Sequence, residues 1–320
     1  MRAATADRYG SPDVITVGEI DRPSVGPDDV LVAVRAAAVN PYDWHMLTGT
    51  PLFVRAVSGL RRPKQKVLGV DVAGVVEAVG ADVTDLGAGD EVFGGAVGAF
   101  AEYAVAKEDR LVRKPANITF EEAAAVTVAA LTAVQGLRDH GTVERGQHVL
   151  VNGAAGGVGT YAVQLAEYFG AEVTAVCSTR NVDMVRDLGA DHVVDYTSDD
   201  FTVDREYDVI LDNIGNRNIA QLKRCLAPTG TYVVIGGPKG RVLGPATQMI
   251  KAIAGFKIGS RRAVSFTAQR SRSDLELFRE LLENGELRTV IDTVYPLEDA
   301  AEALRHLETG HARGKIVVIP

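Results

Sequence analysis

The stretch "HVLVNGAAGGVGTYAVQLA", His148 to Ala166, runs from a short apolar segment through a glycine-rich turn straight into a helical pattern. From Ala154 onward six positions read A-x-G-x-x-G, a dinucleotide-binding turn with alanine in place of its first glycine. Gly156 would let the backbone approach a pyrophosphate, and Gly159 would let the helix pack close to the strand. Ala155, Gly157 and Val158 complete the turn, where a helix N-terminus offers unpaired N–H groups to phosphate. A strand–helix turn without a ligand is the plain alternative; the strand before it and the helix after it weigh against that.

Beyond this turn, strand and helix patterns alternate through "EVTAVCS", "VDMVRDLG", "HVVDY", "YDVILDNIG", "IAQLKRCLA" and "GTYVVIGG". Near-continuous apolar strands in such an order predict a parallel sheet covered on both faces, an α/β fold. Three helices are expected to stop on glycine, at Gly170, Gly189 and Gly230, each feeding the next strand. Residues 1–115 differ: "DVLVAVRAAAVN" and "VAGVVEAVG" are short valine-rich runs cut by turns such as "LGAGDEV", which predicts a small antiparallel barrel or sandwich. A helix follows, capped by Asn117 or Thr119, with Glu121 and Glu122 at the positive end of its dipole. Helical "SDLELFRELLENG" and "LEDAAEALRHLETG" precede a last strand, "GKIVVIP".

The chain has 320 residues, enough for two domains. Its 34 basic and 42 acidic residues give a net charge of -8, which argues against a general attraction to nucleic acid or anionic membrane. Only two cysteines occur, Cys177 and Cys225, so no disulfide framework or cysteine-rich zinc ribbon is expected. Two cysteines alone fit a reduced cytosolic setting, and with no run of 18 apolar residues and no apolar leader a cytoplasmic protein without stable membrane insertion is expected.

The segment after the second strand of the parallel sheet, "AVCSTRN", selects among nicotinamide cofactors. An acidic residue there would grip a ribose 2′-hydroxyl; this chain has Ser178, Thr179, Arg180 and Asn181, hydrogen-bonding groups and a cation suited to a 2′-phosphate. NADP(H) is therefore expected, with Tyr196 a further candidate near the adenosine phosphate; an ordinary solvated arginine and a packing tyrosine are the bland alternatives.

"NPYDWHMLTG", "VLGVDVAGVVEAVG", "GDEVFG", "GAFAEYAVA", "VAALTAVQGL", "VLVNGAAGGVG" and "DLGADHVVDY" together resemble the medium-chain dehydrogenase/reductase superfamily, in its zinc-independent quinone oxidoreductase branch. The resemblance implies a β-rich GroES-like catalytic domain, residues 1–117 completed by 288–320, around a Rossmann NADP-binding domain, residues 118–287. It implies cofactor contacts from Asn40, at the nicotinamide ribose or carboxamide, and from Thr132, and a homodimer joined near "FKIGSRRAV".

Zinc-dependent relatives carry a cysteine where this chain has Asn40 and a His-Glu pair where it has Val70 and Asp71. Valine cannot ligate a metal and asparagine is a poor zinc ligand, so no metal is expected. Without a Lewis acid, the expected acceptors are already activated by conjugation: quinones and α,β-unsaturated carbonyls. A donor near the acceptor oxygen would lower the barrier, and Tyr42 and His45 are the nearest titratable candidates. Tyr42 and Trp44 as pocket lining, His45 as a surface histidine, and a proton delivered by solvent are the alternatives. Between these motifs, Leu52 to Lys66 mixes apolar residues with Arg55, Arg61, Arg62, Lys64 and Lys66: a lid, a membrane contact or a solvated loop. An NADPH-binding regulator or scaffold with little turnover is the rival from another functional class.

Overall fold

The computed structural model describes residues 1–203, 206–237, 246–256 and 259–320, and for residues 246–249 the backbone alone. The chain divides into two compact units, Met1–Leu131 with Arg270–Pro320, and Thr132–Gln269.

In the first unit, β1 (Arg2–Thr5) pairs with β2 (Thr16–Glu19). The longest strand, β3 (Asp29–Val39), is followed by α1 (Pro41–Thr48) and α2 (Val54–Ser58). Next come β4 (Asp71–Val79), β5 (Glu91–Gly95), β6 (Tyr103–Lys107) and β7 (Leu111–Arg113), then α3 (Phe120–Ala124) and α4 (Thr127–Val134). Thr119 rather than Asn117 caps α3, its hydroxyl accepting from the Glu122 N–H at 3.2 Å. The boundary between the units falls inside α4.

The second unit holds β8 (His148–Asn152), α5 (Gly157–Tyr168), β9 (Glu172–Cys177), α6 (Val182–Asp187) and β10 (His192–Asp195). It continues with β11 (Tyr207–Asp212), α7 (Ile219–Cys225), β12 (Leu226–Val234), α8 (Ala246–Gly255) and β13 (Arg262–Ser265). All six strands are parallel, in the order β10-β9-β8-β11-β12-β13. Counted along the unit this is 3-2-1-4-5-6, whose order reverses between β8 and β11. Leu150, Val176, Ile210 and Tyr232 pack its core on the side of Leu222 and Phe256.

Gly170 and Gly189 close helices with φ of 79° and 102°, as the sequence predicts. Gly230 does not: α7 ends at Cys225 and the glycine lies within β12. A Cβ there would stand 2.9 Å from the Asp208 carbonyl oxygen, so close approach between neighbouring strands, not helix termination, accounts for it.

The chain returns to the first unit through α9 (Arg272–Glu283), β14 (Ile291–Pro296), α10 (Ala300–Thr309) and β15 (Lys315–Ile319). The resulting sheet runs β14-β15-β3-β4-β5-β7, with β6 also on β3. Its pairs are antiparallel except β14–β15. Val30, Val72, Phe100 and Ile316 share one core with Leu304 of α10. Contacts of α3 with β3 and β4, and of α9 with β7, put those helices in this unit, whereas the sequence reading placed residues 118–131 and 270–287 in the other.

Candidate functional site

The glycine turn begins where β8 ends. Gly153 takes a φ of 78°, a conformation that strongly favours glycine, and Gly156 immediately precedes α5 in extended backbone. A Cβ on Gly159 would fall 2.2 Å from the Gly153 carbonyl oxygen, so glycine is obligatory for this close packing. Gly156 is different: its φ of -85° suits any residue, and a Cβ would meet only the Gly153 oxygen, at an ordinary 3.6 Å. Among the described residues nothing therefore requires glycine at 156, and the space above it is open. Gly157 and Val158 are half-buried and among the described residues no side chain caps α5, while Ala154 and Ala155 are buried.

The reversal of strand order carries a polar knot that the motif alone does not reveal. Asp212, fully buried at the end of β11, accepts from Asn152 Nδ2 at 2.8 Å, from the N–H groups of Ile214 and Gly215, and from the Tyr232 hydroxyl at 2.7 Å. "VLVN" and "VILDN" each end an apolar run on a polar side chain, which is the signal in the sequence.

At the end of β9, Ser178 is half-buried, Arg180 exposed and Asn181 buried, with Asn181 Nδ2 donating to Ser178 Oγ at 3.2 Å. Tyr196 is 50% exposed and its N–H bonds the Cys177 carbonyl at 3.0 Å, so pairing of β9 with β10 brings it to the same edge. Asp195 comes with it and accepts from Thr179 Oγ1 at 2.5 Å. The hydroxyls of Thr179 and Thr197 hold its carboxyl below the usual range, so an anion sits beside the turn that was read from β9 alone as carboxylate-free. Thr132 lies half-buried on α4.

In the first unit, strand register assembles a second polar group. Val39 lies opposite Ile316 and Ala38 opposite Asp71, so the residues flanking those pairs, Asn40 and Lys315, meet Asp71. Asn40 Nδ2 donates to Asp71 Oδ2 at 2.9 Å and to the Ala38 carbonyl at 3.2 Å, and Lys315 Nζ donates to Asn40 Oδ1 at 2.5 Å. Asp71 also accepts from the Val128 N–H at 3.2 Å, in the first turn of α4, where a carboxylate suits the helix dipole. Asp43 accepts the Asn40 N–H at 2.8 Å. Burial pushes the Asp43 carboxyl up to about 7 and raises Asp71, with Lys315 opposing both; burial lowers Lys315, and the two carboxylates oppose that.

Tyr42 and His45 sit one turn apart on α1. Tyr42 is half-exposed, and desolvation, aided by Asp43, raises its hydroxyl pKa, keeping it a donor at neutral pH. His45 Nδ1 faces the Thr50 carbonyl at 2.5 Å, so that nitrogen is engaged within the loop.

Family models match residues 26–116 as an alcohol dehydrogenase GroES-like domain and 188–318 as a zinc-binding dehydrogenase. A chloroplastic quinone-oxidoreductase of Triphysaria versicolor is 34% identical, covering 100% of this chain and 98% of that protein. The chain belongs to the medium-chain dehydrogenase/reductase superfamily, in its quinone oxidoreductase-like branch. A chloroplastic NADPH-dependent alkenal/one oxidoreductase of Arabidopsis thaliana is also 34% identical, over 100% of this chain and 80% of that protein. Among solved structures, the quinone oxidoreductase of Coxiella burnetii superposes with a TM-score of 0.84 at 31% identity, covering 100% of this chain and 99% of that one.

Like those medium-chain relatives, this protein is an oxidoreductase built on a GroES-like domain and a parallel nucleotide-binding sheet, and it uses a nicotinamide cofactor. The cytoplasmic expectation is overturned, because curated relatives in the branch are chloroplastic or mitochondrial by name. It rested in part on two cysteines. Both are buried, with thiols pushed up to about 11 by desolvation, and such inert thiols carry no record of their compartment. Among the described residues no helix is long and apolar enough to cross a membrane, and no group of three His, Cys, Asp or Glu is placed to hold a metal.

Proposed function

We propose that this oxidoreductase is an NADPH-dependent, zinc-independent reductase of quinones and α,β-unsaturated carbonyls. The observation that carries the cofactor reading is Gly156, a glycine that no described contact demands, with open space over it at the C-terminal end of β8 where the strand order reverses, which supports a phosphate approaching the backbone there. The N–H groups of Gly157, Val158 and Gly159 would bind the pyrophosphate, and Ser178, Arg180, Asn181 and Tyr196 would surround the adenosine ribose and its 2′-phosphate. The relatives named as quinone-oxidoreductase and alkenal/one oxidoreductase support the acceptor class.

Bound NADPH supplies a hydride; the protein supplies binding, orientation and electrostatics. The zinc-free reading rests on the donor set: Asn40 and Val70 stand where zinc relatives have Cys and His, and Asp71 is already engaged by Asn40 and Val128. A conjugated acceptor needs only a donor for the negative charge that grows on its oxygen. Tyr42, neutral and half-exposed, is the side chain suited to hold that oxygen, with His45 behind it on α1. Asn40, expected from the resemblance to touch the nicotinamide, is instead buried with its amide taken by Asp71, the Ala38 carbonyl and Lys315, so it serves by fixing the start of α1, and Thr132 completes the cofactor contacts. We further propose a homodimer through β13, the last strand of the sheet among the described residues; Lys257 and Ile258 of "FKIGSRRAV" lie outside the described residues.

Optical measurement of NADPH oxidation against a panel of quinones and enones tests the proposal. Saturable turnover of at least one acceptor, unchanged by a zinc chelator, is expected. Cofactor binding without turnover of any acceptor would make the protein a nucleotide-binding regulator instead.

A further inference from the structure

Asn40, Asp43, Asp71 and Lys315 lie together inside the first unit, none more than 3% exposed. Burying three ionisable groups costs several kcal/mol per ion before pairing, so the cluster is a poor device for stability alone. Its geometry is directional. Lys315 can only donate and an ionised Asp71 can only accept, which fixes the Asn40 amide between them: oxygen toward lysine, nitrogen toward aspartate. Lys315 Nζ stands 3.7 Å from Asp71 itself, so the amide, not a direct ion pair, makes the short contacts.

Asn40 is also the residue from which α1 starts, and Asp43 in that first turn clamps its backbone N–H. A lysine on the last strand thus reaches across 275 positions of sequence to hold the origin of the helix that carries Tyr42 and His45. Trp44 of the same turn is tied to α10 by a 2.6 Å bond from Nε1 to Glu308, which fixes the helix at a second point.

We propose that Lys315 is a positioning residue for the reduction: it locks the Asn40 amide against Asp71 and so holds the first turn of α1 with Tyr42 aimed at the acceptor. The assignment rests on the reductase reading given above and deepens it. Lys315 acts through Asn40, not by contact with the reacting atoms.

The test uses the full chain, with Lys315→Met and the double variant Lys315→Met/Asp71→Asn, which leaves no unpaired carboxylate at Asp71. Three quantities are read: the side-chain amide NMR signal of Asn40 without cofactor, assigned by its loss in Asn40→Ser; the thermal midpoint; and kcat with KM for NADPH. Lys315→Met is expected to shift the Asn40 signal and to lower kcat by about 100-fold, the scale of an ångström misplacement. KM for NADPH should change by less than about threefold, because cofactor binding is not what is lost. The double variant should recover the thermal midpoint but not kcat, and it carries the kinetic test if the single variant fails to fold. An unmoved Asn40 signal, or recovery of kcat together with stability, would overturn the assignment and leave Lys315 a charge-balancing residue. If the unmodified protein reduces no acceptor, the reductase reading fails by itself, and the Asn40 signal still decides whether Lys315 holds the amide.

Discussion

Asn152 Nδ2 donates to Asp212 Oδ1 over 2.8 Å, joining the C-terminal ends of the two strands between which the order of the parallel sheet reverses. The same carboxylate takes the Tyr232 hydroxyl and two backbone N–H groups, so four donors depend on one buried acid. Asp212→Ala would remove the shared acceptor of all four, two of them on the buried Asn152 and Tyr232, and is expected to destabilise the protein by about 2 kcal/mol or more, since each unsatisfied buried group costs about 1–3 kcal/mol. Urea unfolding followed by circular dichroism checks this; a loss below about 1 kcal/mol, the typical worth of one hydrogen bond, would mean that water replaces the carboxylate.

Two glycines three residues apart should respond in opposite ways to alanine. At Gly159 the added carbon would meet backbone 2.2 Å away, so Gly159→Ala should lower the thermal midpoint by several degrees, roughly 2–4 °C per kcal/mol in a chain of this size. At Gly156 the space is open and the backbone ordinary, so Gly156→Ala should fold normally yet bind NADPH about tenfold or more weakly, the new methyl occupying the place of the pyrophosphate. Fluorescence titration with NADPH and a thermal melt separate the two. Unchanged NADPH affinity in Gly156→Ala would remove the argument for a phosphate there.

Cofactor choice should depend on two opposed charges at one edge. Arg180→Ala is expected to weaken NADPH about tenfold or more relative to NADH, the loss of a charge-assisted contact to the 2′-phosphate. Asp195→Asn should act in reverse and favour NADPH, because it removes an anion hydrogen-bonded to Thr179 beside Arg180. The ratio of kcat/KM for the two cofactors is the readout. Equal losses for both cofactors in Arg180→Ala would place the 2′-phosphate elsewhere.

Asp43 gives a pH signature. Its pKa is pushed up to about 7, first by burial and then by Asp71, against the Asn40 N–H and Lys315, whereas an unfolded aspartate titrates near 3.9. The folded state therefore holds the proton more tightly. This group's contribution to stability is full below about pH 4 and is lost as pH rises to about 7. Asp43→Asn keeps an acceptor for the Asn40 N–H and should flatten the urea midpoint across that window. A slope identical to that of the unmodified protein would show that Asp43 does not titrate there.

Much of the nucleotide half was legible because it is local. The turn from Ala154 to Gly159 and the helix-ending Gly170 and Gly189 each state their geometry within a few residues. Gly230 misled because a glycine after an apolar helix can equally mark close strand approach, and only the register of β12 decides. Asp195 was missed because it reaches the end of β9 from a neighbouring strand. The Asn40–Asp71–Lys315 group was beyond local pattern for the same reason: three residues drawn together by the registers of β15, β3 and β4 leave no spacing signal. Compartment was misread because buried, inert cysteines carry no such information.

The most direct test of the central claim is the rate of NADPH oxidation by the purified, chelator-treated protein with a simple quinone and a simple enone. Saturable turnover that tracks NADPH over NADH and persists without zinc is expected. Turnover that appears only when zinc is restored, or none with any conjugated acceptor while NADPH still binds, would contradict that claim.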